Sequence, residues 1–227
     1  MPSSALLRAI LIASARNLVP LREAWGSCCE TPGSCWACGD MRPTPDQYQG
    51  WGGASLDKLF RPYANYYFFD QGKTFTASGE PSWTKTLTIA DTSNSIELAL
   101  VWTERPSVLP VNGGENLVND LDVKVTAIGS GGVTRIWYGN NYYVNRDDLG
   151  QARTEYSLTF SPGQTPQYDR KNNVERINIK ATSLPAGATS LTVTVTPFSL
   201  SANGLDPEGT ATGLKQDFAL FAVNARE

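Results

Sequence analysis

The stretch Ile96-Glu97-Leu98-Ala99-Leu100-Val101-Trp102 is the strongest strand signal in the chain. Apolar β-branched and aromatic residues favour extended backbone, and successive side chains of a strand point to opposite faces. Alternation along this stretch therefore places every second side chain on one apolar face. We predict a strand over residues 96–102 whose apolar face lies in a buried core.

The same period of two recurs along most of the chain after Arg61. Stretches rich in Thr, Val, Ile or aromatic residues, bounded by turn residues, predict nine further strands: 66–70, 73–78, 84–90, 121–128, 134–137, 157–160, 174–179, 190–197 and 218–224. No helix-length pattern interrupts them, and the absence of βαβ spacing favours antiparallel pairing. The sequence therefore predicts a mainly β chain whose residues 63–227 form an antiparallel β-sandwich of the jelly-roll type.

An apolar helix is predicted ahead of the strands. Over residues 4–17 apolar side chains cover nearly the whole circumference, with Ser3 or Ser4 as the N-cap. A secretory signal peptide is the alternative, because Ala13-Ser14-Ala15 imitates a cleavage site, but no basic residue precedes the apolar run. A helix that is apolar on all sides belongs inside a larger globule. We therefore expect residues 1–60 to be poorly ordered or unusually exposed in isolation.

The composition limits the possible functions. The chain has 227 residues, with 19 basic and 22 acidic side chains and a net charge of −3. Because the basic residues are scattered, nucleic acid is not an expected partner. No apolar run approaches the ~20 residues that cross a membrane, and the abundance of Thr, Ser, Asn and Gly is typical of a secreted β protein. The chain has no histidine, so it cannot assemble a Ser-His-Asp or Cys-His site by itself.

All four cysteines fall in one Pro- and Gly-containing segment: Cys28, Cys29, Cys35 and Cys38. An even count in a chain of secreted composition favours a structural loop with one or two disulfides. Cys35-Trp36-Ala37-Cys38 also has the spacing of zinc and thiol redox sites, and free thiols are a third alternative. The adjacent Cys28 and Cys29 would strain a tetrahedral zinc site, and no βαβ pattern surrounds a redox motif.

Two regions of the sequence resemble parts of one known family. Residues 2–15, followed by Gly50-Trp51-Gly52, resemble the last helices of the catalytic domain of subtilisin-like serine proteases, the subtilases. Further along, four motifs resemble in order the C-terminal β-barrel of certain secreted alkaline subtilases: Leu98-Ala99-Leu100-Val101-Trp102-Thr103-Glu104 with Pro106, Leu117-Val118-Asn119-Asp120-Leu121-Asp122-Val123, Tyr138-Gly139-Asn140 and Asn172-Asn173-Val174-Glu175. Together the two resemblances cover nearly the whole chain.

The resemblance implies that the chain is the C-terminal portion of a secreted subtilisin-like endopeptidase. Residues 1–62 would be a helical remnant of the α/β catalytic domain, and residues 63–227 a stabilising β-sandwich. The upstream catalytic domain would then be the partner of this chain, and proteins the substrates of the parent enzyme. The family's catalytic Asp, His and Ser blocks have no counterpart in this sequence, so the chain holds no catalytic residue and we expect it to be inactive alone.

Two polar clusters, 119–122 and 172–175, interrupt the β-rich sequence, although strands normally contain little Asp and Asn. Asp120 and Asp122 share one face of a regular strand, where their charges repel unless a positive charge lies between them. Calcium prefers such oxygen ligands, and the resemblance to protease sandwich domains favours it. We predict a structural Ca²⁺ site with ligands from Asp120, Asp122, Asn140, Asn173 and Glu175, with Asn119 and Asn141 as further donors. The alternative is that these side chains bond backbone groups near strand ends.

An aromatic cluster surrounds Gly139-Asn140-Asn141: Trp137, Tyr138, Tyr142 and Tyr143. Aromatic faces beside amides can stack on sugars and bond their hydroxyl groups. The cluster therefore predicts an alternative function, a stand-alone binding module for glycans or for a cell-surface protein. Ordinary packing of aromatic residues in strands explains the same pattern. A structural or adhesive domain with no ligand beyond a metal is the third hypothesis.

Overall fold

Two antiparallel β-sheets and two α-helices make up the described structure. The computed structural model describes residues 1–16, 18, 44–45, 49–60, 65–106, 117–142, 155–206 and 208–227. Their helices and strands are α1 (Ser4–Ser14), α2 (Asp57–Phe60), β1 (Tyr66–Thr76), β2 (Trp83–Ile89), β3 (Ile96–Val101), β4 (Asn119–Ile128), β5 (Thr134–Tyr138), β6 (Val174–Ile179), β7 (Ser190–Leu200), β8 (Lys215–Val223) and β9 (Ala225–Arg226). Neither helix is long and apolar enough to cross a membrane.

The strands form a four-stranded sheet in the order β1-β8-β3-β6 and a five-stranded sheet in the order β5-β4-β7-β2-β9. Every pairing between these strands is antiparallel. One apolar core draws side chains from both sheets, among them Leu98, Trp102, Val123 and Val193. The predicted mainly β sandwich is therefore confirmed, while its jelly-roll type stays a prediction.

Three of the predicted strands do not form as separate strands. The stretches 66–70 and 73–78 form a single strand, β1, because the chain continues through a bulge between Asp70 and Thr74, where Gln71 adopts a φ of 55°. Residues 157–160 make only isolated bridges, from Ser157 to Tyr142 and from Phe160 to Ile136. The predicted strand over 157–160 is therefore replaced by single bridges.

Strand β3 is buried on both of its faces. Leu98, Leu100 and Trp102 belong to the core between the sheets. Ala99 and Val101 point the other way and belong to a second apolar core on the outer face of the four-stranded sheet. The sequence predicted one apolar face, and the structure covers the other as well.

Helix α1 covers that outer face. Ala5, Leu6, Ala9 and Ala13 are buried against residues of β3, β6 and β8, since residues three or four apart lie on the same side of a helix. The small alanine side chains let the helix lie close to the sheet. The helix therefore has a sheet to pack against, although we expected residues 1–60 to be poorly ordered or unusually exposed. Leu7 and Leu11 on the far side of the helix remain half exposed.

A buried group of charges ties the N-terminal segment to the sandwich. Lys58 on α2 forms an ion pair with Glu97 on β3 and donates to the Ala15 carbonyl at 3.3 Å. Arg176 on β6, which is 1% exposed, pairs with the same Glu97 carboxylate at 2.9 Å. Burial of a charge is costly unless it is paired, so these contacts fix α2 on the sheet. The domain boundary predicted near residue 62 lies outside the described residues.

Enlarging the alanine stripe of α1 should destabilise the protein. Ala9→Leu adds three carbon atoms at a fully buried position, and overpacking of this kind costs about 1–3 kcal/mol. We expect urea unfolding of this variant to show that loss. Leu11→Ala on the exposed side of the same helix is the matched control and should change stability by less than about 0.5 kcal/mol. Equal stabilities of the two variants would mean that α1 does not pack on the sheet.

Candidate functional site

The two aspartates of the first polar cluster lie at a bulge where β4 pairs with β7. Asp120 is opposite Ser199 and Leu121 is opposite Pro197, so Phe198 has no partner residue on β4. Bulges of this kind redirect side chains. Asp120 and Asp122 both contact one guanidinium group, so they share a face as the sequence predicts.

Arg170 supplies the positive charge between the two carboxylates. Its Nη1 lies 2.9 Å from Asp120 Oδ2 and 2.7 Å from Asp122 Oδ1, and its Nη2 lies 3.3 Å from Asp122 Oδ2. The guanidinium carbon also lies 3.7 Å from the ring centre of Phe198 and 4.7 Å from that of Tyr168. Aromatic contact and bidentate pairing together hold the planar group in one orientation.

A third aspartate, Asp169, fastens the segment that carries Arg170. Its Oδ2 accepts from Asn140 Nδ2 at 2.6 Å, and its Oδ1 accepts from the Lys171 N–H at 2.9 Å. Asn140 lies in the turn after β5 with a φ of 53°. Its amide also donates to the Val174 carbonyl at 2.7 Å and accepts from the Arg176 N–H at 2.9 Å. One asparagine thus joins the end of β5 to β6 and to the Arg170 segment.

Glu175 bridges the two sheets at the corner next to this cluster. Its Oε2 accepts a hydrogen bond from the Val123 N–H of β4, and the residue is only 1% exposed. Gly139 makes room for it, because a Cβ atom there would lie 2.3 Å from Glu175 Oε2. The glycine of the Tyr138-Gly139-Asn140 motif is therefore required by the close approach of this carboxyl group.

Burial governs the ionisation of these acids. It raises the pKa of Glu175 well above its usual value, against the Val123 hydrogen bond, and the neighbouring Asp122, Asp169 and Asp120 charges add to the rise. It also raises the pKa of Asp120 to about 6, although Arg170 opposes the effect. The pKa of Asp122 is raised for the same reason. Asp120 Oδ1 is buried and has no hydrogen-bond partner among the described residues.

The predicted calcium ligands are placed in different surroundings. Asn173 lies beside α1, where its amide donates to the Trp102 carbonyl at 3.0 Å and accepts from Arg8 at 3.2 Å. The oxygen of Asn140 accepts from a backbone N–H, as described above, so neither asparagine oxygen faces Arg170. Within the described part of the chain, no three His, Cys, Asp or Glu side chains are arranged to hold a metal. The calcium site stays a prediction.

The remaining asparagines bond the backbone, as the alternative hypothesis proposed. Asn119 accepts from the Ser201 N–H at 2.8 Å and donates to the Ala202 carbonyl at 3.2 Å. Asn141 donates to the Gly139 carbonyl at 2.7 Å and accepts from the Gln167 N–H at 3.0 Å. These amides connect strand ends to loops.

The predicted aromatic platform does not form from the described rings. Trp137 is 0% exposed and donates to Thr159 Oγ1 at 3.0 Å, while Tyr142 is 8% exposed and donates to the Arg176 carbonyl. Tyr138 packs edge-on against two other rings, and Tyr143 lies outside the described residues. Trp137 and Tyr142 are therefore core residues. The alternation of apolar residues in the sequence did not predict that these two rings are buried.

The exposed aromatic residues here are ones that the sequence analysis did not single out. Tyr168 is 41% and Phe198 is 62% exposed, and the two flank Arg170. The only local sign of this arrangement in the sequence is that Arg170 follows Tyr168 by two residues. Phe198 reaches the same guanidinium through the bulge of β7, which no local pattern predicts. Cys28, Cys29, Cys35 and Cys38 all lie outside the described residues.

The four separate sequence motifs meet in space. Trp102 Nε1 donates to the Asn119 carbonyl at 2.9 Å, and Glu104 Oε1 accepts from the Asn119 N–H at 2.7 Å. Asn173 bonds the Trp102 carbonyl, and Glu175 reaches the second and third motifs through Val123 and Gly139. The polar residues of the motifs therefore form one connected set of contacts at the β3–β4–β6 corner.

Comparisons with known proteins give only distant likenesses. No family model and no curated protein matches this chain. A solved structure of the infectious bursal disease virus Gt strain is 14% identical with a TM-score of 0.30, covering 71% of this chain and 32% of that one. The VP2 subviral particle of infectious bursal disease virus is 12% identical with a TM-score of 0.31 over the same shares. The chain thus spans about a third of these chains, and likenesses at this level carry no argument.

The raised pKa of Asp120 predicts a pH dependence of stability. An acid that is protonated more readily when folded stabilises the protein below its unfolded pKa, near 3.8, and this stability is lost as the pH rises through about 6. Asp120→Asn removes this titration. We expect urea unfolding to show that, between pH 5 and pH 7, the variant loses less stability than the original protein, by roughly 1 kcal/mol.

Asp91→Asn is the matched control for this pH experiment. Hydrogen bonds from Ser93 hold the pKa of Asp91 below its usual value, so its titration lies under the pH window. The control should therefore keep the original slope between pH 5 and pH 7. Identical slopes for Asp120→Asn and the original protein would contradict the raised pKa.

Proposed function

We propose that this chain is the C-terminal portion of a secreted subtilisin-like serine endopeptidase. In this proposal it supplies a β-sandwich that stabilises the catalytic domain, together with the last helices of that domain. Its partner is the upstream catalytic domain, and the substrates of the parent enzyme are proteins. The chain itself contributes scaffold and no step of the reaction.

The convergence of the four motifs is the observation that supports this proposal. The motifs were matched to the subtilase β-barrel by their order along the sequence alone. In the structure Trp102, Asn119, Gly139 and Glu175 belong to one connected corner. Motifs that depend on one another through contacts are expected to recur together, because changing one residue leaves the polar partners of the others unpaired.

The outer side of α1 gives further support. Leu7 and Leu11 lie one turn apart and are about half exposed, although the helix is otherwise packed on the sheet. Exposed apolar residues on an already packed helix fit a segment that is covered on both sides in a larger protein. The alternative function, a glycan-binding module built on Trp137 and Tyr142, lacks this support because both rings are buried.

Catalysis in the proposed parent enzyme would use a serine nucleophile activated by a histidine. The present sequence has no histidine. In the proposal the triad therefore belongs to the part of the protein upstream of this chain. The buried acids near Arg170 have no role in that reaction, since their carboxyl groups bond the guanidinium and the backbone of the sandwich.

The genomic sequence upstream of Met1 tests the proposal. We expect it to encode a Gly-Thr-Ser-type nucleophile block in frame with this chain. The purified chain should show no hydrolysis of casein, and the joined protein should show hydrolysis that a serine-directed inhibitor abolishes. A long upstream sequence without the block, or casein hydrolysis by the chain alone that the inhibitor stops, would overturn the proposal.

Calcium binding is a separate part of the proposal and has its own test. An ion at Asp120 and Asp122 would have to displace Arg170, so Arg170→Met should bind calcium more tightly than the original chain. Binding to the folded state raises the melting temperature by mass action. We expect a larger rise for Arg170→Met than for the original protein in millimolar calcium. Equal melting temperatures in calcium and in chelator for both proteins would reject the site.

A further inference from the structure

An apolar groove lies where α1, α2 and the edge strand β1 meet. Its volume is about 540 Å³, and it is lined by Leu6, Ile10, Phe60, Tyr66, Phe68 and Phe221, among others. Tyr66 stacks on Phe221 at 5.6 Å, which holds one wall in place. The groove is on the outer face of the four-stranded sheet, at the opposite edge from the corner that holds Arg170 and Glu175.

The side chains around this groove are unusually exposed for apolar residues. Phe60 is 76%, Phe68 56% and Tyr66 48% exposed. Since an aromatic side chain offers about 150–250 Å², these three present roughly 300–400 Å². Met1, which also lines the groove, adds to this area. A patch of this size matches the largest apolar patch of a typical monomer, which often marks an interaction site.

Strand β1 also presents backbone groups beside the groove. It lies at the end of its sheet and pairs only with β8 among the described strands. The Asn224 N–H donates to the Asn65 carbonyl at 2.7 Å, and the register with β8 is unbroken to Asp70. Because residues alternate along an antiparallel pair, Tyr67 and Phe69 direct their backbone groups to β8. Tyr66, Phe68 and Asp70 therefore direct theirs to the open edge.

We propose that this edge is an interface between two copies of the chain. Strand β1 pairs antiparallel with β1 of a second copy about a two-fold axis at Phe68, and the two four-stranded sheets become one sheet of eight strands. Phe68 then exchanges both backbone hydrogen bonds with Phe68 of the other copy. The axis is perpendicular to the sheet, so both grooves lie on the same face, and Phe60 and Phe68 are buried where they join.

The register follows from the shape of β1. The regular part of the strand is the five residues from Tyr66 to Asp70, because the bulge interrupts it afterwards. Phe68 is the middle of these five. Pairing about Phe68 sets Tyr66 opposite Asp70 of the other copy. Like charges directly opposite each other would be unfavourable, and this register avoids them. Isologous pairing of this kind closes at two copies and leaves no free β1 edge for further growth.

Sedimentation velocity on the full 227-residue chain tests this inference. Between about 1 and 100 µM we expect the mass to rise from 24.6 kDa to twice that value. Phe68→Asp places two carboxylates on the axis and should weaken dimerisation at least about 100-fold. Ile128→Asp is the matched control, because Ile128 is 61% exposed at the end of β4 in the other sheet, and it should dimerise like the original chain.

Hydrogen exchange on the original chain gives a second readout that requires no variant. The amides of Phe68 and Asp70 should gain protection as the concentration rises, whereas those of Tyr67 and Phe69 should not change. A monomer at 100 µM, a dimer that Phe68→Asp leaves intact, or protection without this alternation would overturn the interface. These results do not depend on the genomic sequence upstream of Met1, so the inference and the proposed function fail independently.

Discussion

The burial of β3 on both faces is the constraint on which the rest of the structure depends. Leu98, Leu100 and Trp102 fill the core between the sheets, while Ala99 and Val101 receive α1 on the outside. A strand in this position can carry few polar side chains. The one charged residue in β3, Glu97, is accommodated only because Arg176 and Lys58 both pair with it. Strand β3 therefore contacts the other sheet on one face and α1 on the other, and it carries the Glu97 carboxylate that pairs with Lys58 and Arg176.

The polar corner has more acids than bases. The charges of Asp122, Asp169 and Asp120 add to the raised pKa of Glu175. Arg170 is the only basic side chain bonded to Asp120 and Asp122 in the described residues. Burial raises the pKa of Glu175 well above its usual value, which favours the neutral form of this carboxyl group. A neutral carboxyl group can bridge two sheets at a lower cost than a buried anion. The corner therefore works as a structural joint whose stability depends on pH.

Much of the fold could be predicted from local patterns, because a period of two and turn residues are properties of short segments. The stretch 174–179 coincides with β6, and 134–137 falls one residue short of β5. The merging of two predicted strands into β1 was not predictable, since β8 pairs with both parts and carries the chain across the bulge. The candidate site was harder to predict from the sequence. Its two aspartates were found by their spacing, but Arg170 lies 48 residues away from Asp122.

The sequence by itself determined the antiparallel β class, the strands and an apolar helix, because these depend on side-chain types at neighbouring positions. It also established that a chain without histidine holds no Ser-His-Asp site. Only the tertiary structure decided which side chains occupy the corner. Whether Asp120 and Asp122 face an arginine or a metal ion, and whether Trp137 points inward, depends on segments brought together by the sheet register and by the bulge at Phe198. Such contacts between distant residues leave no periodic trace in the sequence.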